Sequence, residues 1–193
     1  MKRENKVLLG IAVLLAAVCL GQIWIKHLEK VRMLAEQEAE RTAKEDSVVF
    51  EDGDVVSGRE LWLDFYGTTQ AGEPASVRLV RSYSAIEPDD TYYVTREHSY
   101  HVRELTFDGE MYAFADGDRA YRYLLCYPDQ AAWNPSMAYT SATFYILTND
   151  EDVTPRDIER YETSSLWEGE PLDACTVYAE YVWKEEYQHL HEH

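Results

Sequence analysis

The side chains best suited to chemistry are six histidines, three cysteines and 36 acidic residues, and their spacing decides what they could do. His98 and His101 lie three apart, which would bring them together on a helix. The context Tyr100-His101-Val102 reads as strand, where residues three apart point to opposite faces, so joint metal ligation is not expected. His189, His191 and His193 alternate, and an extended tail would aim all three to one side, a geometry open to Zn²⁺ or Cu²⁺. Only Glu192 assists them, and chain ends fray, so a weak adventitious site is the most they offer.

Acid pairs are numerous: Asp89-Asp90, Asp116 with Asp118, and Asp150-Glu151-Asp152. The last has the density of a calcium loop but lacks the central Gly and the closing Glu of an EF-hand. An acidic turn ahead of a helix at Thr154 accounts for it better, since carboxylates are favoured at the positive end of a helix dipole. A carboxylate pair for glycoside hydrolysis cannot be singled out among so many acids. Cys19, Cys126 and Cys175 follow no metal-ligand spacing. Cys126 and Cys175 stand in strand-like contexts, either as free buried thiols or, in an oxidising compartment, as a disulfide. There is no GxSxG elbow, no P-loop and no dinucleotide fingerprint. No catalytic residue is assigned, and no cofactor is expected.

The elements that carry these residues begin with Val7–Ile25, 19 residues without a charge. As a helix they extend about 28 Å, close to the hydrocarbon thickness of a bilayer. Trp24 suits the headgroup boundary and Lys26 closes the run. A cleavable signal would be shorter and end in small residues, and Val18 is a poor neighbour for lipidation at Cys19, so an uncleaved signal anchor is expected. Residues 1–6 form a basic cytoplasmic leader, and the domain then lies outside the cytoplasm. Residues 26–46 lack Gly and Pro and read as a helical stalk. Their stripe Leu28, Val31, Ala35, Ala39 and Thr42 suits a charged stalk, with weak homodimerisation as the alternative.

Residues 1–30 carry five basic and two acidic residues, whereas the remainder carries 13 basic and 34 acidic residues, a net charge of −21. Such a domain repels phosphate backbones, so a nucleic-acid partner is excluded.

Residues 47–186 are expected to form one extracytoplasmic α+β domain, followed by a tail at 187–193. Its expected architecture is a mostly antiparallel sheet of six or seven strands with two short helices. Strands are expected at Ser47–Phe50, Val77–Tyr83, Thr91–Thr95, Tyr100–Phe107, Glu110–Ala115, Arg119–Tyr127, Ser141–Leu147 and Ala174–Lys184. Glu51–Asp54 reads as a turn, and Gly58–Tyr66 as a helix burying Leu61, Trp62 and Phe65. Asp108-Gly109 predicts a type I′ hairpin inside a three-stranded meander. Thr154-Pro155-Arg156-Asp157 predicts a helix start, with Thr154 as N-cap. Val177, Ala179, Tyr181 and Trp183 are expected on one buried strand face.

The segments Val77-Arg78-Leu79, Leu105 to Glu110, Tyr121 to Leu125 and Tyr145 to Asp150 resemble those of uncharacterised small membrane-anchored cell-surface proteins of Gram-positive bacteria. The resemblance spans residues 50–185 and rests on strand and hairpin patterns. It implies an anchored α+β domain and no activity; an envelope protein partner is expected separately, from the Tyr-rich and acidic character of the domain. The setting of Cys19 departs from the lipidated members. An interaction or accessory domain is thus expected, with a small carboxylate-based envelope hydrolase or a cation-binding module as alternatives.

Overall fold

The computed structural model describes residues 3–85, 97–163 and 171–188; the side chains of residues 3–20, 23 and 188 lie outside that description. The chain divides into two units, Met1–Ala43 and Lys44–His193. The first is the body of one continuous helix, α1 (Arg3–Lys44), 42 residues long and so about 63 Å. Surface ion pairs at helical spacing, Arg32–Glu36 and Glu38–Arg41, support it. Leu28 and Val31 are exposed, as are Ala35, Ala39 and Thr42. Most side chains of Val7–Ile25 fall outside the described residues, and among the described residues no helix is long and apolar enough to cross a membrane. The side chain of Cys19, the Thr91–Thr95 strand, Asp89-Asp90 and the histidines at 189, 191 and 193 also fall outside them.

The second unit is α+β and mostly antiparallel, as expected, but its strands form two sheets instead of one. Six strands, β1 (Val48–Glu51), β2 (Asp54–Ser57), β3 (Ala75–Tyr83), β4 (Ser99–Phe107), β5 (Tyr112–Phe114) and β6 (Ala120–Tyr121), assemble in the order β2-β1-β3-β4-β5-β6. Three more, β7 (Tyr123–Ala131), β8 (Tyr139–Thr148) and β9 (Ala174–Trp183), form the second sheet. The helices are α2 (Arg59–Gln70), α3 (Pro155–Thr163) and the single turn α4 (Glu185–Gln188). Among the described residues nine strands are therefore present, more than the six or seven expected.

Several local expectations are corrected. The predicted strand Arg119–Tyr127 breaks at Arg122, where the backbone N–H donates to Asn149 Oδ1 at 2.9 Å and the chain leaves the first sheet for the second. The meander thus ends at β6. The Asp108-Gly109 hairpin is a four-residue loop: Phe107 faces Tyr112, and only Gly109 has a positive φ, 104°. The Asp108 carboxylate accepts the N–H groups of Glu110 and Met111 at 2.9 and 2.8 Å, a local ring that competes with the tighter turn. A two-residue turn with both central residues at positive φ occurs instead at Asp52-Gly53, φ 48° and 102°, between paired Glu51 and Asp54. Helix α2 buries Trp62, Phe65 and Thr69, whereas Leu61 is exposed.

One β-type connection is parallel: β1 pairs with β3 across the β2 hairpin and α2. Gly58 makes the entry to α2 possible, with φ at 76° and no room for a Cβ, which would lie 2.2 Å from Ser47 O. The core lies where the two sheets and α2 meet, with Phe50, Trp62, Leu79, Leu105, Leu147 and Tyr178 among its members. Trp62 stacks on Tyr178 with ring centroids 4.6 Å apart. A second apolar cluster joins Ile158 of α3 to Phe144, Ile146 and Ala179 on the outer face of the three-stranded sheet. As predicted, α3 starts after Thr154, whose N–H and Oγ1 both bond Asp157 Oδ2, at 3.0 and 2.5 Å.

Candidate functional site

Strand alternation explains where the candidate site forms. Along β3, Val77, Leu79, Arg81 and Tyr83 share one face; along β4, His101, Arg103, Leu105 and Phe107 do the same. Register sets Val77 beside Leu105, Leu79 beside Arg103 and Arg81 beside His101. One inward-facing row therefore begins apolar and ends cationic. At the cationic end Phe114 of β5 and Cys175, Thr176 and Val177 of β9 close a cleft of about 230 Å³.

A bulge in β9 shapes its wall. Tyr145 faces Tyr178 and Ile146 faces Thr176, so Val177 is the extra residue. Val177 and Tyr178 consequently both join the core between the sheets, whereas Ala179 and Tyr181 pack in the outer cluster. The single buried face expected for Val177, Ala179, Tyr181 and Trp183 is thereby corrected, because one inserted residue shifts the alternation.

Arg81 Nη2 donates to the Val177 carbonyl at 2.7 Å, and its guanidinium lies 4.3 Å from the Phe50 ring centroid. Among the described residues no carboxylate pairs with it. Burial pushes the Arg81 guanidinium below its ordinary value, with Tyr83 and Tyr181 opposing that shift. Arg103 lies over Phe114, 3.6 Å from the centroid, and donates through Nε and Nη2 to Asp116 Oδ1, both at 3.1 Å. That pair is solvent-exposed, so Asp116 neutralises Arg103 without tying it firmly. His101 is exposed at the rim, edge-on to Tyr83 with centroids 6.2 Å apart.

The Cys175 thiol is pushed up by burial, and that effect outweighs the opposing influence of Tyr121, Arg103, Arg81 and Arg119. A protonated thiol is a wall, not a nucleophile. Cys126 and Cys175 are both free and half-buried. They sit on β7 and β9, the two strands flanking β8, which separates them by about 10 Å, beyond the reach of a disulfide.

A wider cavity of about 520 Å³ is lined by Asp54, Arg59, Glu180, Tyr181 and Trp183, among others. There Arg59 Nε and Nη2 donate to the two Glu180 oxygens at 2.6 and 3.3 Å, and the Tyr178 hydroxyl donates to Oε1 at 2.6 Å. Trp183 Nε1 donates to Asp54 Oδ1 at 2.9 Å. Asp150 caps its own turn by accepting the Asp152 N–H at 3.0 Å, consistent with the acidic-turn reading. His98 precedes β4 and His101 lies within it, and no group of three or more metal-type ligands occurs among the described residues.

Arg81 and Arg103 were not singled out by their spacing. The available signal was their place in alternating runs, Val77-x-Leu79-x-Arg81 and Arg103-x-Leu105-x-Phe107, which puts cations in rows otherwise reserved for the core.

The fold and the cleft define a class: an α+β domain of two sheets with a cationic recess in an acidic body. No family model matches the chain, and no match was found among curated proteins or solved structures.

Proposed function

We propose that this chain is a membrane-tethered, extracytoplasmic interaction domain that captures an anionic group of an envelope partner in the cleft around Arg81. The observation that carries the reading is a desolvated guanidinium without a carboxylate partner among the described residues, in a chain holding 36 acidic residues. With 34 of those acids beyond residue 30, partners for a half-buried cation were available to the sequence. Leaving one unpaired costs stability, which favours a group held ready for a ligand.

The tether is supported by the 19 uncharged residues Val7–Ile25, lying inside the 42-residue helix α1. The basic leader at Lys2, Arg3 and Lys6 favours an inside N-terminus. The exposed stripe through Leu28 and Val31 is narrow, suiting a stalk with weak self-association. The hydrolase alternative loses ground because Glu180 and Asp54, two of the acids that line the cavity of about 520 Å³, are already engaged by Arg59, Tyr178 and Trp183.

The test has two parts. Alkaline carbonate extraction should leave the chain in the membrane fraction, and a reporter active only outside the cytoplasm should work when fused after His193. In-cell crosslinking from position 101 should then recover a defined envelope partner that Arg81→Gln releases. Extraction into the supernatant removes the tether, and a crosslinking pattern indifferent to Arg81 removes the cleft as its contact.

A further inference from the structure

Resting on that reading, we infer that the cleft takes a monocarboxylate carried on a small apolar body, with the carboxylate on Arg81 and the body against Leu79, Phe114 and Val177.

The argument starts from charge. Arg81 contributes one cation, and Arg103 a second that Asp116 offsets, leaving a net of about one positive charge beside the cleft. A dianion would exceed that charge while also meeting the field of a strongly acidic domain. Shape points the same way. A guanidinium is a planar fork that matches a carboxylate with two parallel hydrogen bonds. One Arg81 nitrogen is fixed by the Val177 carbonyl, which orients the fork, and no other acceptor engages it among the described residues. The remaining wall is apolar, and about 230 Å³ suits one ring or a short aliphatic chain. Cys175 adds neutral surface, since its thiol stays protonated.

A carboxylate of this kind can belong to a free small acid or to the C-terminus of a polypeptide, and the fork sees the same atoms in both. The full chain in detergent micelles should be titrated with benzoate, benzamide, inorganic phosphate, sulfate and the peptide Ala-Ala-Leu as free acid and as amide. Benzoate should bind and benzamide should not. Arg81→Gln should weaken benzoate about 10- to 100-fold, the loss of a charge-assisted bidentate pair. Arg78→Gln, on the opposite face of β3, should leave it unchanged. Asp116→Asn should tighten benzoate by releasing Arg103, a readout of anion capture in the cleft that survives if Arg81→Gln fails to fold. Tighter binding of the free-acid peptide than of benzoate assigns the site to a chain end; binding of benzoate alone assigns it to a small acid; both support the inference. Equal binding of benzoate and benzamide overturns it. Phosphate or sulfate binding without benzoate overturns the carboxylate but keeps the anion-capturing cleft, and no anion binding at all overturns both.

Discussion

Replacing Arg81 by Met separates a cation kept for a ligand from one kept for the fold. The substitution keeps an unbranched, flexible apolar stem while deleting the charged guanidinium. On the losing side stand the hydrogen bond to Val177 O at 2.7 Å and the contact with Phe50 at 4.3 Å. A hydrogen bond from a charged donor contributes about 1.5–3 kcal/mol, and a cation–π contact about 0.5–2 kcal/mol. On the gaining side stands relief from desolvation, several kcal/mol for a buried ion and less here because Arg81 is only half-buried. No carboxylate among the described residues is stranded by the change. The effects nearly cancel, so Arg81→Met should stay within about 1 kcal/mol of the parent chain, a shift in Tm of no more than roughly 2–4 °C for a domain of this size. Thermal unfolding of the full chain in micelles, followed by near-ultraviolet circular dichroism, reads this directly. Breaking a buried pair that props up a fold costs about 3–5 kcal/mol. A loss above about 2 kcal/mol would therefore refute the assignment of Arg81 to ligand binding, since a contact of that strength belongs to the architecture.

The fully buried Trp62 supports three elements, so Trp62→Ala should cost about 3–5 kcal/mol in denaturant unfolding. Trp62→Phe should cost much less, because the indole Nε1 it removes makes no hydrogen bond. Gly58→Ala should cost more than about 1 kcal/mol, through both positive φ and the 2.2 Å approach to Ser47 O, and a near-native Tm would contradict the turn geometry. Hydrogen bonding by Thr154 holds the Asp157 carboxyl below its ordinary 3.8. Its folded-state pKa is thus depressed, so its stabilisation is present above 3.8 and is lost as pH falls through the folded value. Asp157→Asn should accordingly destabilise at pH 7, with the gap to the parent chain closing in strong acid; a gap independent of pH would contradict the assignment.

Much of the second unit was legible because its signals are local. The runs Tyr139–Thr148 and Ala174–Trp183 alternate or are continuously apolar, and Thr154-Pro155 announces α3. What escaped depends on contacts distant in sequence. The parallel pairing of Val48–Glu51 with Leu79–Ser82 has no turn to announce it, because 27 residues separate the strands' paired segments. The change of sheet at Arg122 interrupts a run that reads as one strand, and the partner that marks it, Asn149, lies 27 positions away. The same Asp-Gly pair forms a tight turn at Asp52 and a wider loop at Asp108, because the Asp108 carboxylate captures two backbone N–H groups. Arg81 and Arg103 could be seen as misplaced cations in core rows, but their convergence on one cleft needs the register of β3 on β4 and the approach of β9.

That approach ties the irregularity of the fold to the site. In a regular β9, Thr176 and Tyr178 would be separated by one residue paired to β8; here Val177 has no partner in the register. Its carbonyl is the acceptor that fixes Arg81, so the bulge lies at the contact that orients the guanidinium. Deleting Val177 should join Thr176 to Tyr178 in unbroken register, keeping Cys175 and Tyr178 on the core face. It also removes one fully buried Val, a loss of about 1.5–3 kcal/mol that the rest of the core can absorb. The deletion variant should therefore fold, melt lower and lose benzoate binding through the misdirected guanidinium. Retention of binding at parental affinity would show that Arg81 is oriented by something other than the bulge.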